Sequence, residues 1–79
     1  MDFDRDKVDD MVLALLSLTM HDSHGVVRAW KDHDWETMDR LCAKGYISDP
    51  KSKARSVQLT EQGVSRSQQL FDNYFRTGK

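Results

Sequence analysis

His21, Asp22, His24, His33 and Cys42 are the residues of this 79-residue chain whose types together invite a metal site. Imidazole and thiolate suit zinc, but the spacing matches no ligand pattern. Ser23 and Gly25 also end any helix that would set His21 and His24 on one face. The histidines therefore read as turn residues, and neither a metal nor a cofactor is expected. Cys42, the sole cysteine, reads as a small buried hydrophobe. It excludes an intrachain disulfide and points to a reducing compartment. The chain has no glycine-rich phosphate loop, nucleophile motif or evident carboxylate pair, so no enzyme activity is expected.

The cations offer more. Lys51, Lys53 and Arg55 fall within five residues, with Arg28, Lys31, Arg40 and Lys44 as further basic groups. Such a set can grip phosphates. It can equally keep an exposed hairpin tip soluble and safe from edge pairing. The net charge of −1 does not mark a strongly nucleic-acid-binding domain, but its distribution is uneven. Residues 1–10 hold five Asp against Arg5 and Lys7, a net of −3, whereas residues 40–79 carry a net of +5. Either an anionic partner meets the basic half, or the two halves face each other within a chain or between subunits. Trp30 and Trp35 flank "KDHD". Both could stack on bases, although such a pair more commonly closes a small core around a turn.

These groups are positioned by a short list of elements. A helix is expected from about Arg5 to His21, its opening turn rich in Asp as the helix dipole favours. Val8, Met11, Val12, Leu15, Leu18 and Thr19 follow one stripe, while Leu13, Leu16 and Met20 place apolar groups elsewhere. A helix apolar nearly all round needs cover on several sides. A chain this short buries only about 60% of its unfolded surface. A homodimer through residues 8–20 is therefore expected, with Val8, Met11, Val12, Leu13, Leu15, Leu16 and Met20 at the interface. The acidic N-terminus does not resemble a secretory signal, and the apolar run from Met11 to Met20 is too short to span a bilayer. A cytoplasmic protein with no membrane partner is the expectation.

After a turn at "HDSHG", "VVRAW" (26–30) reads as a short edge strand. Asp34 should cap a helix from Trp35 to Lys44, with Trp35, Met38, Leu41 and Cys42 on its apolar face and Gly45 closing it. Tyr46 and Ile47 then open a hairpin that turns at Asp49-Pro50 and returns through Ser56 to Leu59. On the return, Val57 and Leu59 face inward. Thr60 caps a last helix, about Glu61 to Arg76, with Val64, Phe71, Tyr74 and Phe75 as its stripe, Leu70 beside it, and Gly63 allowing close packing.

The run of Leu41, Lys44, Gly45, Tyr46 and Ile47, a basic hairpin, and then Val57, Leu59, Thr60 and Gly63 resembles the second half of bacterial winged-helix regulators of the MarR-like and PadR-like kind. That resemblance covers residues 35–75. More narrowly, "DKVDDMVLALL", "RAWK..DW", "GYISDPKSKA" and "LT..G" resemble a small bacterial domain-of-unknown-function family along nearly the whole chain, a family that implies no established activity. The regulator resemblance implies a reading helix at 35–44 and a wing at 48–56. Only thirteen residues, 22–34, separate the first helix from Trp35, so the helix-turn-helix is truncated.

The expected fold is α+β: one small winged-helix-like domain over residues 1–79, in the order helix, strand, helix, β-hairpin, helix. Two functions follow. One is a nucleic-acid-binding accessory or transcriptional regulator acting on double-stranded DNA, with Lys51, Lys53 and Arg55 on phosphates and Arg40 and Lys44 near base edges. On that helix Glu36 and Asp39 would oppose entry into a groove, leaving Thr37, Arg40 and Lys44 as its contacts. The other is a protein-interaction module on the same scaffold that does not bind DNA but meets another protein.

Overall fold

The computed structural model describes residues 2–31, 33–51 and 54–77. Helix α1 spans Arg5–Leu15 and starts where the Asp4 carboxylate accepts the Lys7 amide at 3.1 Å. It tightens into a 3-10 turn at Leu16–Thr19, so the expected continuous helix to His21 stops short. The residues read as a turn instead form strand β1, His21–Ser23, which pairs antiparallel with β2, Val26–Trp30. His24 and Gly25 both have positive φ, 53° and 85°. That combination defines the two-residue turn whose twist matches a hairpin. It is tolerated at His24 as a single left-handed residue.

Helix α2, Trp35–Ala43, is capped by Asp34, which accepts the Thr37 amide at 3.1 Å and the Thr37 hydroxyl at 2.9 Å. Its C-terminus closes as the sequence predicts. Gly45 takes φ 84°, its amide bonds the Cys42 carbonyl, and the Tyr46 amide bonds the Leu41 carbonyl. This pair of bonds satisfies carbonyls the helix leaves open. Strand β3, Ser56–Gln58, pairs antiparallel with β2 and gives the sheet order β1-β2-β3. VVRAW is therefore a central strand and not an edge. The expected hairpin at 46–59 is reduced to β3 and a single bridge between Ile47 and Leu59. Beside that bridge the Ser48 amide donates to the Gln58 carbonyl at 2.8 Å, and the Ser48 hydroxyl accepts the Gln58 amide at 2.9 Å.

Helix α3, Glu61–Phe75, begins at Thr60, whose hydroxyl accepts the Gly63 amide at 2.9 Å. The Thr60 hydroxyl also donates to the Gly45 carbonyl, and its amide donates to the Tyr46 carbonyl. A Cβ at Gly63 would collide with that same Tyr46 carbonyl. Gly45, Tyr46, Thr60 and Gly63 are thus one joint between α2 and α3.

Three α-helices and a three-stranded antiparallel sheet among the described residues make this an α+β domain, in an order compatible with a winged-helix-like arrangement. Among the described residues, 16–34 hold the 3-10 turn and the β1–β2 hairpin where a full helix-turn-helix carries another helix. The core collects Leu13, Ala14, Leu16, Ala29, Met38, Leu41, Ile47, Val57, Leu59 and Leu70. The buried line of α3 is Gly63, Ser67 and Leu70, whereas Tyr74 and Phe75 are exposed. Small residues win that face because α1 crosses close by: Ser67 donates to the Leu13 carbonyl at 2.6 Å and meets the Ser17 hydroxyl at 2.7 Å. No helix among the described residues is long and apolar enough to cross a membrane.

Candidate functional site

Two of the expected nucleic-acid contacts have other partners. Asp9 is wholly buried on the α1 stripe that also carries Leu13 and Leu16. Arg40 donates through Nε to both Asp9 oxygens, at 2.8 and 3.0 Å, and Lys44 Nζ reaches Asp9 at 2.9 Å. Lys44 also meets Asp6 at 3.1 Å, and Arg40 donates to the Thr37 hydroxyl. The bond to Asp9 is the main cause that raises the Lys44 pKa above 10.5, with Asp6 adding and partial burial opposing. A carboxylate buried without such partners would cost several kcal/mol, so Asp9 holds Arg40 and Lys44 against α1. Arg40 and Lys44, expected near base edges, are thus engaged by acids of the same chain. Thr37 is buried as well. The α2 surface left to solvent carries Trp35, Glu36, Asp39 and Ala43, and its acids repel a phosphate backbone.

With Arg66 placed 3.8 Å from Asp10, the acidic start and the basic later half meet inside one molecule. From spacing alone, Asp9 belongs with the other acids at the start of α1. The missed signal was its place one turn before Leu13 on an apolar stripe, where an acid must find cations.

The loop cations are arranged differently. Lys51 and Arg55 are exposed, and neither forms an ion pair with a described residue. Lys53, the third expected phosphate contact, lies outside the described residues. The loop is anchored from β2: the Lys31 amide donates to the Arg55 carbonyl at 3.2 Å, and Lys31 Nζ donates to the Pro50 carbonyl at 2.7 Å. Pro50 is buried, and Asp49 accepts the Lys51 amide at 2.9 Å, which sets the turn. Arg28 is fixed on the outer sheet face, with bonds of 2.7 and 2.8 Å to the Ser56 hydroxyl and carbonyl.

Trp30 and Trp35 do not close a core; they are 47% and 58% exposed. Strand alternation puts Ala29 inward and Trp30 outward, and α2 buries Thr37, Met38 and Leu41 instead of Trp35. The His21 ring lies 5.2 Å from the Trp30 ring, and its Nδ1 is 2.9 Å from the Thr19 carbonyl. Among the described residues no group of three His, Cys, Asp or Glu side chains is placed to hold a metal ion. Cys42 is half-buried against the core.

The expected dimer face divides in two. Leu13 and Leu16 are wholly buried within the single chain and offer nothing to a second copy, because β2, α2 and α3 already cover them. Val12 and Met20 are half-buried against the same core, and Leu15 is half-buried too. Val8, Met11 and Val12 join Phe3, Asp4 and Lys7 around an open, mainly apolar groove of about 400 Å³.

A family model described as a domain of unknown function, DUF6429, matches residues 4–77. The chain belongs to this family. It is also 49% identical, over 75 residues, to "Uncharacterized protein y4hR" of Sinorhizobium fredii, a match covering 95% of this chain and 97% of the relative. No solved structure matches the chain.

Proposed function

We propose that this DUF6429 domain is a non-catalytic nucleic-acid-binding accessory that grips phosphates through the 51–55 loop and does not read a groove with α2. One observation carries the reading: Lys51 and Arg55 are exposed with no acidic partner among the described residues, whereas Arg40 and Lys44 are neutralised by Asp9 and Asp6. Unpaired cations on an anchored loop release counterions when they meet phosphate, which favours binding and makes it salt-dependent. A regulator with such a surface would associate with little sequence preference, since phosphate contacts position a protein without specifying bases.

The test is fluorescence anisotropy of a labelled oligonucleotide at roughly 50 and 200 mM salt, with Lys51→Ala/Arg55→Ala alongside. Micromolar binding that weakens with salt, and weakens further in the variant, is expected. No binding at the lower salt would remove the reading. A second reading, a protein-interaction module that includes self-association, is favoured by the apolar groove of Phe3, Val8, Met11 and Val12. Its measure is the molecular mass in solution by sedimentation, for the native chain and for Met11→Glu.

A further inference from the structure

We infer that the nucleic acid taken by this domain is single-stranded, and that Trp30 and Trp35 are the platforms on which its bases stack. The inference rests on the phosphate-grip reading above and adds the class of ligand. Tryptophan carries a large apolar surface and is highly buried on average. Here both are about half exposed, and both sit beside the basic loop. Trp30 ends β2 opposite Ser56, the residue that follows Arg55. Lys31 ties the surface together: its amide bonds the Arg55 carbonyl, its Nζ bonds the Pro50 carbonyl, and that Nζ lies 6.0 Å from the Trp35 ring centroid. One end of the sheet therefore carries two exposed indoles and the loop cations Lys51 and Arg55. His21, tilted against Trp30, and Arg28, clamped to Ser56, extend this face across β1 and β2.

The combination selects for unpaired bases. An indole face stacks on any base that is free of its neighbours, while nearby cations follow the backbone. In a duplex those faces are already stacked inside, and reading the edges needs an element that enters a groove. The element in position to do so, α2, exposes Glu36 and Asp39 and has lost Arg40 and Lys44 to Asp9. Among the described residues, the acids on the platform's own elements are Asp22 on β1, Asp34 at the α2 cap, Glu36 and Asp39 on α2, and Asp49 in the loop. Asp34 and Asp49 are each turned to a backbone amide.

Trp30 and Trp35 are the only tryptophans in the sequence, so tryptophan emission, excited beyond the tyrosine band, reports on this surface. The experiment titrates the full chain with oligo-dT of about 15 nucleotides and with a duplex of the same length. Anisotropy and tryptophan emission are followed together, and Trp30→Ala and Trp35→Ala are run alongside with their folding checked by circular dichroism. Oligo-dT should bind more tightly than the duplex and quench the emission. Each alanine variant should weaken oligo-dT binding about tenfold while leaving the duplex nearly unaffected. Equal binding of duplex and single strand without quenching would overturn the inference and leave the phosphate grip standing. No binding of either oligonucleotide would overturn both.

Discussion

Arg40 and Lys44 on α2, and Lys51 and Arg55 in the loop that follows, are alike in the sequence and unlike in the molecule. The first pair faces a carboxylate that is 0% exposed, and both side chains close onto it within 3.0 Å. The second pair stands in solvent near two half-exposed indoles. What separates them is the helix packed alongside. α1 brings Asp6 and Asp9 to α2, whereas no acidic helix face covers the loop among the described residues. A basic residue becomes available to a partner only when the fold leaves it without an acid, and composition cannot reveal that.

The largest test of the contrast is Arg40→Met. It would leave Asp9 wholly buried with Lys44 as its one remaining close cation, and should cost about 3 kcal/mol in urea denaturation. Pairing it with Asp9→Leu should restore most of that loss, because an apolar replacement of both partners removes the desolvated charge. A single-variant loss near zero would mean that water reaches Asp9 and that the seam is no tighter than the loop.

Gly63→Ala is the steric counterpart, since it disturbs the α2–α3 joint without touching a charge. The new Cβ would push against the Tyr46 carbonyl, costing about 2 kcal/mol, read as a lowered Tm. If alanine is accepted there without loss, the joint has room that its geometry denies.

Lys44 gives a smaller effect with a defined sign. Its pKa is raised in the folded state by Asp9, so the stabilisation is complete below the unfolded value near 10.5 and fades as pH climbs through the folded one. Stability followed from pH 9 upward should therefore fall more steeply in the native protein than in Lys44→Met above about pH 10.5. Matching slopes would show that Lys44 gains nothing from its acids. The smallest effect belongs to the loop: Lys51→Ala/Arg55→Ala should alter stability by less than about 0.5 kcal/mol, while weakening oligonucleotide binding. A loss as large as that of Arg40→Met would erase the distinction between the two clusters.

Much of the local structure was legible in the chain. α1 starts at Arg5, Asp34 and Thr60 precede helices and bond first-turn amides, VVRAW forms a strand over the expected residues, and Gly45 closes α2 in the left-handed region. These outcomes depend on residues within about five positions of one another, so spacing and side-chain chemistry suffice to read them. The β1–β2 hairpin was missed because its turn uses His24-Gly25, without the Asn or Asp that usually announces it.

The candidate sites obeyed a different rule. Whether Arg40 was free depended on Asp9, thirty-one positions earlier. Whether Trp35 was core or surface depended on which face of α2 met α1. Burial of Leu13 and Leu16, read from composition as a surplus needing a second subunit, was supplied by α3 and the sheet. Residue types and periodicity thus determined the elements, their caps and the supply of charge. Only the tertiary structure decided which charges cancel and which aromatics stay in water, because those outcomes are set by contacts between residues far apart in the chain.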